Sequence, residues 1–204
     1  MRSQGGLRRA WRAICGATMA MTIGTGPVCA APRAYVLDPS GTAVSFFGRA
    51  TLHAFSGMSR SVQGTLAFDP DPQRLIVPAS VAIPIASLTT GIAARDRQMR
   101  AMFDAPRAPL IQFTLTVLTR LGDDPSAPGA ARYRLEGTLR LRAAVHPLAF
   151  DAVAHPTADE GWEVSGDVPL SLKGLGLKPP SLLGLFRVHD AVLVRFTSRW
   201  RRLP

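Results

Sequence analysis

Apolar and polar residues alternate along most of this chain. The clearest run is Tyr133 to Leu141, where Tyr133, Leu135, Gly137, Leu139 and Leu141 share one face and Arg134, Glu136, Thr138 and Arg140 share the other. A period of two is the signature of a half-buried β-strand. Seven more stretches carry it: Val44 to Leu52, Val62 to Phe68, Leu75 to Ile85, Ile111 to Val117, Leu148 to Ala154, Trp162 to Leu170 and Val192 to Trp200. Turn residues separate them, notably Asp69-Pro70-Asp71-Pro72, the run Asp123 to Gly129, and the longer loop Gly174 to Pro180.

One segment breaks the rhythm. From Thr90 to Asp104, Ile92, Met99, Met102 and Phe103 fall near helical spacing, with Thr89 or Thr90 available as a cap and Pro106 just beyond. The pattern therefore predicts an all-β fold of eight antiparallel strands and one short helix. Each strand has one apolar face to bury. Closing the sheet into a barrel buries those faces and removes the edges; a two-sheet sandwich satisfies the same pattern. An eight-stranded barrel either fills with side chains or encloses one small ligand. The inward faces include Gly48, Ala50, Gly64, Ala79, Gly137, Ala152, Ala154 and Gly166. These small residues either leave room inside or permit bends in the wall.

The first thirty residues follow a different rule. Arg2, Arg8, Arg9 and Arg12 precede an uncharged, mildly apolar stretch from Ala13 to Ile23, and Val28-Cys29-Ala30 offers a small-residue cleavage site. This reads as a cleaved signal peptide over 1–30, leaving one domain over 31–204 in the periplasm. The apolar stretch is too short for a membrane span. Arg8-Arg9 lacks the usual neighbours of a twin-arginine signal, and neither Cys15 nor Cys29 has the context of a lipidated cysteine. Both cysteines leave with the signal, so the mature chain forms no disulfide.

Composition narrows the classes further. Of 204 residues, 47% are hydrophobic and 19% charged, which excludes a wholly disordered chain. Removing four arginines from a net charge of +10 leaves +6. That excess is scattered, with local weight at Arg195, Arg199, Arg201 and Arg202, and reads as a solvated surface or as attraction to an anionic membrane surface. No basic patch is interleaved with aromatics, so nucleic acid is not an expected partner.

Candidate chemistry is sparse. His53, His146, His155 and His189 show no metal-site spacing, and no metal is expected. There is no Gly-x-Ser-x-Gly elbow and no phosphate-binding loop. A hydrolase would need a site assembled across strands, such as Ser40 or Ser56 with His53 and Asp38. No catalytic residue is assigned.

The most informative stretch is Ser87-Leu88-Thr89-Thr90, then Arg95-Asp96, Met102-Phe103-Asp104 and Pro109-Leu110-Ile111-Gln112-Phe113. In order and spacing it resembles the YceI-like family of periplasmic polyisoprenoid-binding proteins. Tyr35-Val36-Leu37-Asp38-Pro39, Val44-Ser45-Phe46, Gly57 and Gly64 are similar as well. So is Leu139-Arg140-Leu141-Arg142, leading to His146-Pro147-Leu148. The resemblance covers about residues 34–200. Two positions depart from the commoner pattern: Gln98 stands where a His is usual, and Met102 where a Phe is frequent. Thr51 to Phe55 is similar to a variant branch.

The resemblance implies a lipocalin-like, eight-stranded antiparallel barrel with a helix at one end. It also implies a long isoprenoid chain, such as a quinone or polyprenyl lipid, held inside without any covalent cofactor. The candidate lipid-binding residues are Phe46, Leu52, Leu66, Phe68, Ile83, Ile85, Met99, Phe103, Phe113, Leu115 and Phe196, with Arg95 at the mouth. Each apolar member is equally suited to plain core packing. Met99 has the flexible thioether that suits an adaptable site. Arg95 either meets a polar head or pins the helix through Asp96 or Asp104. The expected partner is an apolar lipid, with transient membrane-surface contact. The alternatives are a filled barrel that binds a protein partner and, more remotely, an exported hydrolase.

Overall fold

The computed structural model describes residues 33–68, 79–179, 181–182 and 186–204. The expected signal over 1–30, the Asp69–Pro72 turn, and Leu75 and Val77 lie outside them. Ten strands follow in order among the described residues: β1 (Arg33–Ala50), β2 (Ala54–Ser59), β3 (Gln63–Phe68), β4 (Ala79–Pro84), β5 (Leu110–Asp123), β6 (Ala131–Leu141), β7 (Ala144–Pro156), β8 (Trp162–Ser171), β9 (Ser181–Leu182) and β10 (Phe186–Arg202). An α-helix, α1 (Ala93–Met102), stands between β4 and β5.

The described strands pair antiparallel. The order β1-β3-β4-β5-β6-β7-β8-β10 closes on itself through a β1–β10 pairing, giving a closed eight-stranded barrel. Closure leaves each of these strands a neighbour on both sides, which answers the edge problem that the one-faced pattern poses. β2 and β3 share one edge of β1: Val44 to Arg49 pair with β2, and Arg33 to Val36 with β3. The two act as one strand broken at residues 60–62.

Several details differ from the expected pattern, among them the added strands β2 and β9. The strand expected to begin at Val44 begins at Arg33 instead, because a register shift between Asp38 and Ala43 carries it on through Pro39, Ser40 and Gly41. There the Thr42 hydroxyl donates to the Asp38 carbonyl and accepts from the Arg199 amide, so the irregular backbone is paired. In β5 a register shift between Leu115 and Val117 inverts the phase, so Val117 faces solvent and Leu118 faces in. The helix is shorter than Thr90–Asp104, and its N-cap residue Ile92 makes no side-chain cap. Thr89 and Thr90 are not caps; they serve Asp96, as described below.

Two buried clusters mark the two ends. Tyr35, Leu37, Val62 and Trp200 pack together toward the end opposite α1. Ile85, Leu88 and Met99 pack beneath α1, joined by Phe46, Ile83, Phe103 and Ile111.

Candidate functional site: a lined cavity with a polar mouth

The barrel encloses a cavity of about 1000 Å³. The inward faces of the strands build its wall. Val44, Phe46 and Ala50 line it from β1; Leu148, Phe150, Ala152 and Ala154 from β7; Val192, Val194, Phe196, Ser198 and Trp200 from β10. The polar exceptions are few. Deep in the wall, Ser198 is satisfied: its hydroxyl donates to the Val164 carbonyl and accepts from the Trp200 indole.

The inward glycines do not create this space. A Cβ at Gly48 would stand 2.5 Å from the Phe55 ring, and one at Gly166 would stand 3.0 Å from the Phe196 ring. Gly137 likewise lies under Phe113, and Gly57 under Phe46. Each glycine lets a ring lie flat on the wall, which no side chain at that position would permit. The result is an aromatic row across the interior: Phe113 to Phe150 at 5.4 Å, and Phe150 to Phe196 at 5.7 Å and nearly edge-on.

At the α1 end the lining turns polar. His53, Thr90, Arg95 and Gln98 line the cavity beside Phe55, Ala94, Met99 and Phe103. His53 and Gln98 are exposed at this end, and the exposed Arg120 lines the cavity near the other. Arg95 stacks over the Phe55 ring at 5.4 Å and brings a guanidinium nitrogen 3.4 Å from His53 Nε2. Neither expected carboxylate pairs with it. Asp104 pairs with Arg107. Asp96 is buried and accepts from the Thr89 hydroxyl at 2.9 Å, the Thr90 hydroxyl at 2.6 Å and the Thr90 amide at 2.8 Å. Burial opposes its charge. The Thr90 hydroxyl and amide, the Thr89 hydroxyl and the Arg100 charge outweigh this and hold its carboxyl below the usual range. Asp96 therefore ties the loop before α1 to the helix and leaves Arg95 free to face the mouth.

Of the residues singled out in the sequence, Phe46, Leu66, Ile83, Arg95, Met99, Phe103, Phe113, Leu115 and Phe196 line the cavity. Leu52 does not: it sits past the end of β1 and is 71% exposed. Ile85 is fully buried behind the wall, against Leu88 and Met99. Phe68 ends β3 opposite Arg33, and its side chain lies outside what is described. Sequence reasoning missed His53, Phe55 and Gln98 at the mouth, and Tyr133, Phe150, Trp162 and Trp200 in the wall. The last four stand on faces the alternation already marked as inward. The first three needed the tertiary contact between the β1–β2 turn and α1.

The hydrolase trio does not assemble. Ser40 donates to Asp38 at 2.8 Å near the start of β1, whereas His53 stands beyond that strand's other end, against Arg95. Among the described residues, no three His, Cys, Asp or Glu side chains gather as a metal-ligand set.

The same barrel is found in solved structures. The BcnA protein of Burkholderia cenocepacia superposes with a TM-score of 0.65 at 17% identity, over 80% of this chain and 98% of that one. A polyisoprenoid-binding domain from Saccharophagus degradans, implicated in plant cell wall breakdown, gives 0.60 at 15% identity, over 82% and 97%. A YceI protein of Campylobacter jejuni gives 0.55 at 18%, over 70% and 82%. At these identities the likeness concerns the fold. No curated protein matches the chain. The model of the YceI-like domain matches residues 35–199, and the chain accordingly belongs to the YceI-like family.

Proposed function

We propose that this chain is an exported binding protein, not an enzyme, that holds one long apolar chain of isoprenoid or quinone type in its barrel. The observation that carries the reading is the cavity: about 1000 Å³, walled mostly by aliphatic and aromatic side chains, with His53, Thr90, Arg95 and Gln98 gathered at the α1 end and Thr42, Arg120 and Ser198 as scattered polar members elsewhere. Such a space lies at the upper end of small-molecule sites. Burying each CH₂ contributes about 0.8 kcal/mol, so a twenty-carbon tail gains roughly 16 kcal/mol before ordering costs remove much of it. The Saccharophagus degradans relative is named for polyisoprenoid binding. Arg95, His53 and Gln98 meet the ligand's polar head, and the tail runs inward past Phe113, Phe150 and Phe196. The N-terminal 1–30 segment delivers the protein to the periplasm, where 31–204 works as one domain.

Trp162 and Trp200 both line the cavity, which supplies an optical test. Adding a long-tailed quinone quenches tryptophan emission and saturates at one equivalent. Emission that stays unchanged across a series of quinones and polyprenyl lipids overturns the reading and favours a barrel that serves a protein partner.

A further inference from the structure

We propose that the face around the mouth docks on an anionic lipid bilayer, so that ligand passes directly between bilayer and cavity. The inference rests on the lipid-binding reading. Leu52 is the most exposed large apolar side chain among the described residues, at 71%, and Ile92 is 49% exposed. A single exposed leucine needs no explanation, but these two share a place. Leu52 precedes His53 on the β1–β2 turn, and Ile92 stands one turn before Arg95. The Arg95–His53 contact ties the two segments together across the mouth. Both side chains thus flank the opening through which an apolar ligand must pass.

The exposed charge on these two segments has one sign. Arg49 and Arg97 are exposed, and with Arg95 they have no carboxylate partner among the described residues. The nearest acid in sequence, Asp96, is buried and engaged with Thr89 and Thr90. Two exposed apolar side chains, on segments whose arginines have no carboxylate partner among the described residues, match a bilayer whose headgroups are anionic and whose interior is apolar. A water-soluble partner would leave a ligand with a long tail to cross solvent; a bilayer at the mouth does not.

The test is flotation of the full chain with vesicles of phosphatidylcholine, with and without phosphatidylglycerol, followed by quinone titration in vesicle-free solution. The parent floats with the anionic vesicles and releases as salt rises. Leu52→Glu with Ile92→Glu lowers partitioning about tenfold or more. Arg49→Glu or Arg97→Glu lowers it about fivefold each, on anionic vesicles only. All these variants titrate with quinone as the parent does. A parent that stays below the anionic vesicles overturns the proposal. So does a double variant that floats like the parent, the outcome if the N-terminal segment alone carries membrane affinity. Loss of quinone titration in the parent, with flotation obeying the pattern, removes the ligand reading and leaves the docking face standing.

Discussion

The two ends of this barrel are built to different rules. At the end away from α1, Tyr35, Leu37, Val62 and Trp200 pack together as a buried floor. Three ion pairs stand near it: Arg199 with Asp159 at 3.2 Å, Arg202 with Glu160, and Arg120 with Asp123, while Arg33, Arg132 and Arg201 are exposed there. Asp159 is held below the usual carboxylate range by the Thr157 hydroxyl first, then its own backbone and Arg199; Asp38 is held low by the Ser40 hydroxyl and amide. At the α1 end His53 and Gln98 line the cavity and are exposed, Arg49, Arg95 and Arg97 have no carboxylate partner among the described residues although Arg107 pairs with Asp104, and Leu52 and Ile92 protrude. The floor commits its side chains to stability, whereas the mouth keeps polar and charged groups available. A protein that only needed to stand up would treat both ends like the floor.

Substitutions at either end test this difference. The largest effect belongs to the floor. Trp200→Ala should cost about 3–5 kcal/mol, since a large buried ring leaves a void and Ser198 loses its donor. Denaturant unfolding measures it, and a loss under about 1 kcal/mol would mean that the floor is not a core.

Next comes the clamp behind the mouth. Asp96→Ala should cost about 2–3 kcal/mol, because three donors lose a buried, charged acceptor. Its folded pKa lies below the ordinary 3.8, so the clamp contributes fully above that value. The contribution fades as pH falls through the lower folded value. Unfolding free energy followed from neutral pH into acid should therefore drop for the parent, while Asp96→Asn starts lower and falls less steeply.

The smallest effect on stability is expected at the mouth itself. Arg95 has a stacking contact and a polar neighbour but no ion pair among the described residues, so Arg95→Ala should change stability by less than about 1 kcal/mol. Affinity for a ligand with a polar head should fall about tenfold, and affinity for a headless hydrocarbon of equal length should not change. The reverse pattern, lost stability with unchanged affinity, would return Arg95 to a purely structural role.

Much of this arrangement was legible from alternation alone. Every inward face read from Tyr133–Leu141, Leu148–Ala154, Trp162–Leu170 and Val192–Trp200 contributes to the cavity wall. Period-two patterning reports which face is buried, because burial is a local property repeated along a strand. It fails where backbone geometry changes between residues. The shift at Leu115/Val117 is invisible in composition and turns Val117 outward. Leu52 continues the apolar face of β1, but the strand has already ended at Ala50. Ile85 sits in a 3-10 turn (Ile85–Ser87) after β4, so its direction no longer follows the strand. The mouth was the least legible part. Arg95 and His53 are 42 positions apart and meet only because the barrel closes. Asp96 is adjacent to Arg95 in sequence, but its hydrogen bonds reach back to the preceding loop.

The most direct test of the central claim is native mass spectrometry of the protein purified from its producing cells, followed by organic extraction. A lipid-holding barrel shows a one-to-one mass increment that extraction traces to a long apolar chain with a polar head. A bare chain that stays bare after incubation with quinones and polyprenyl lipids would contradict it.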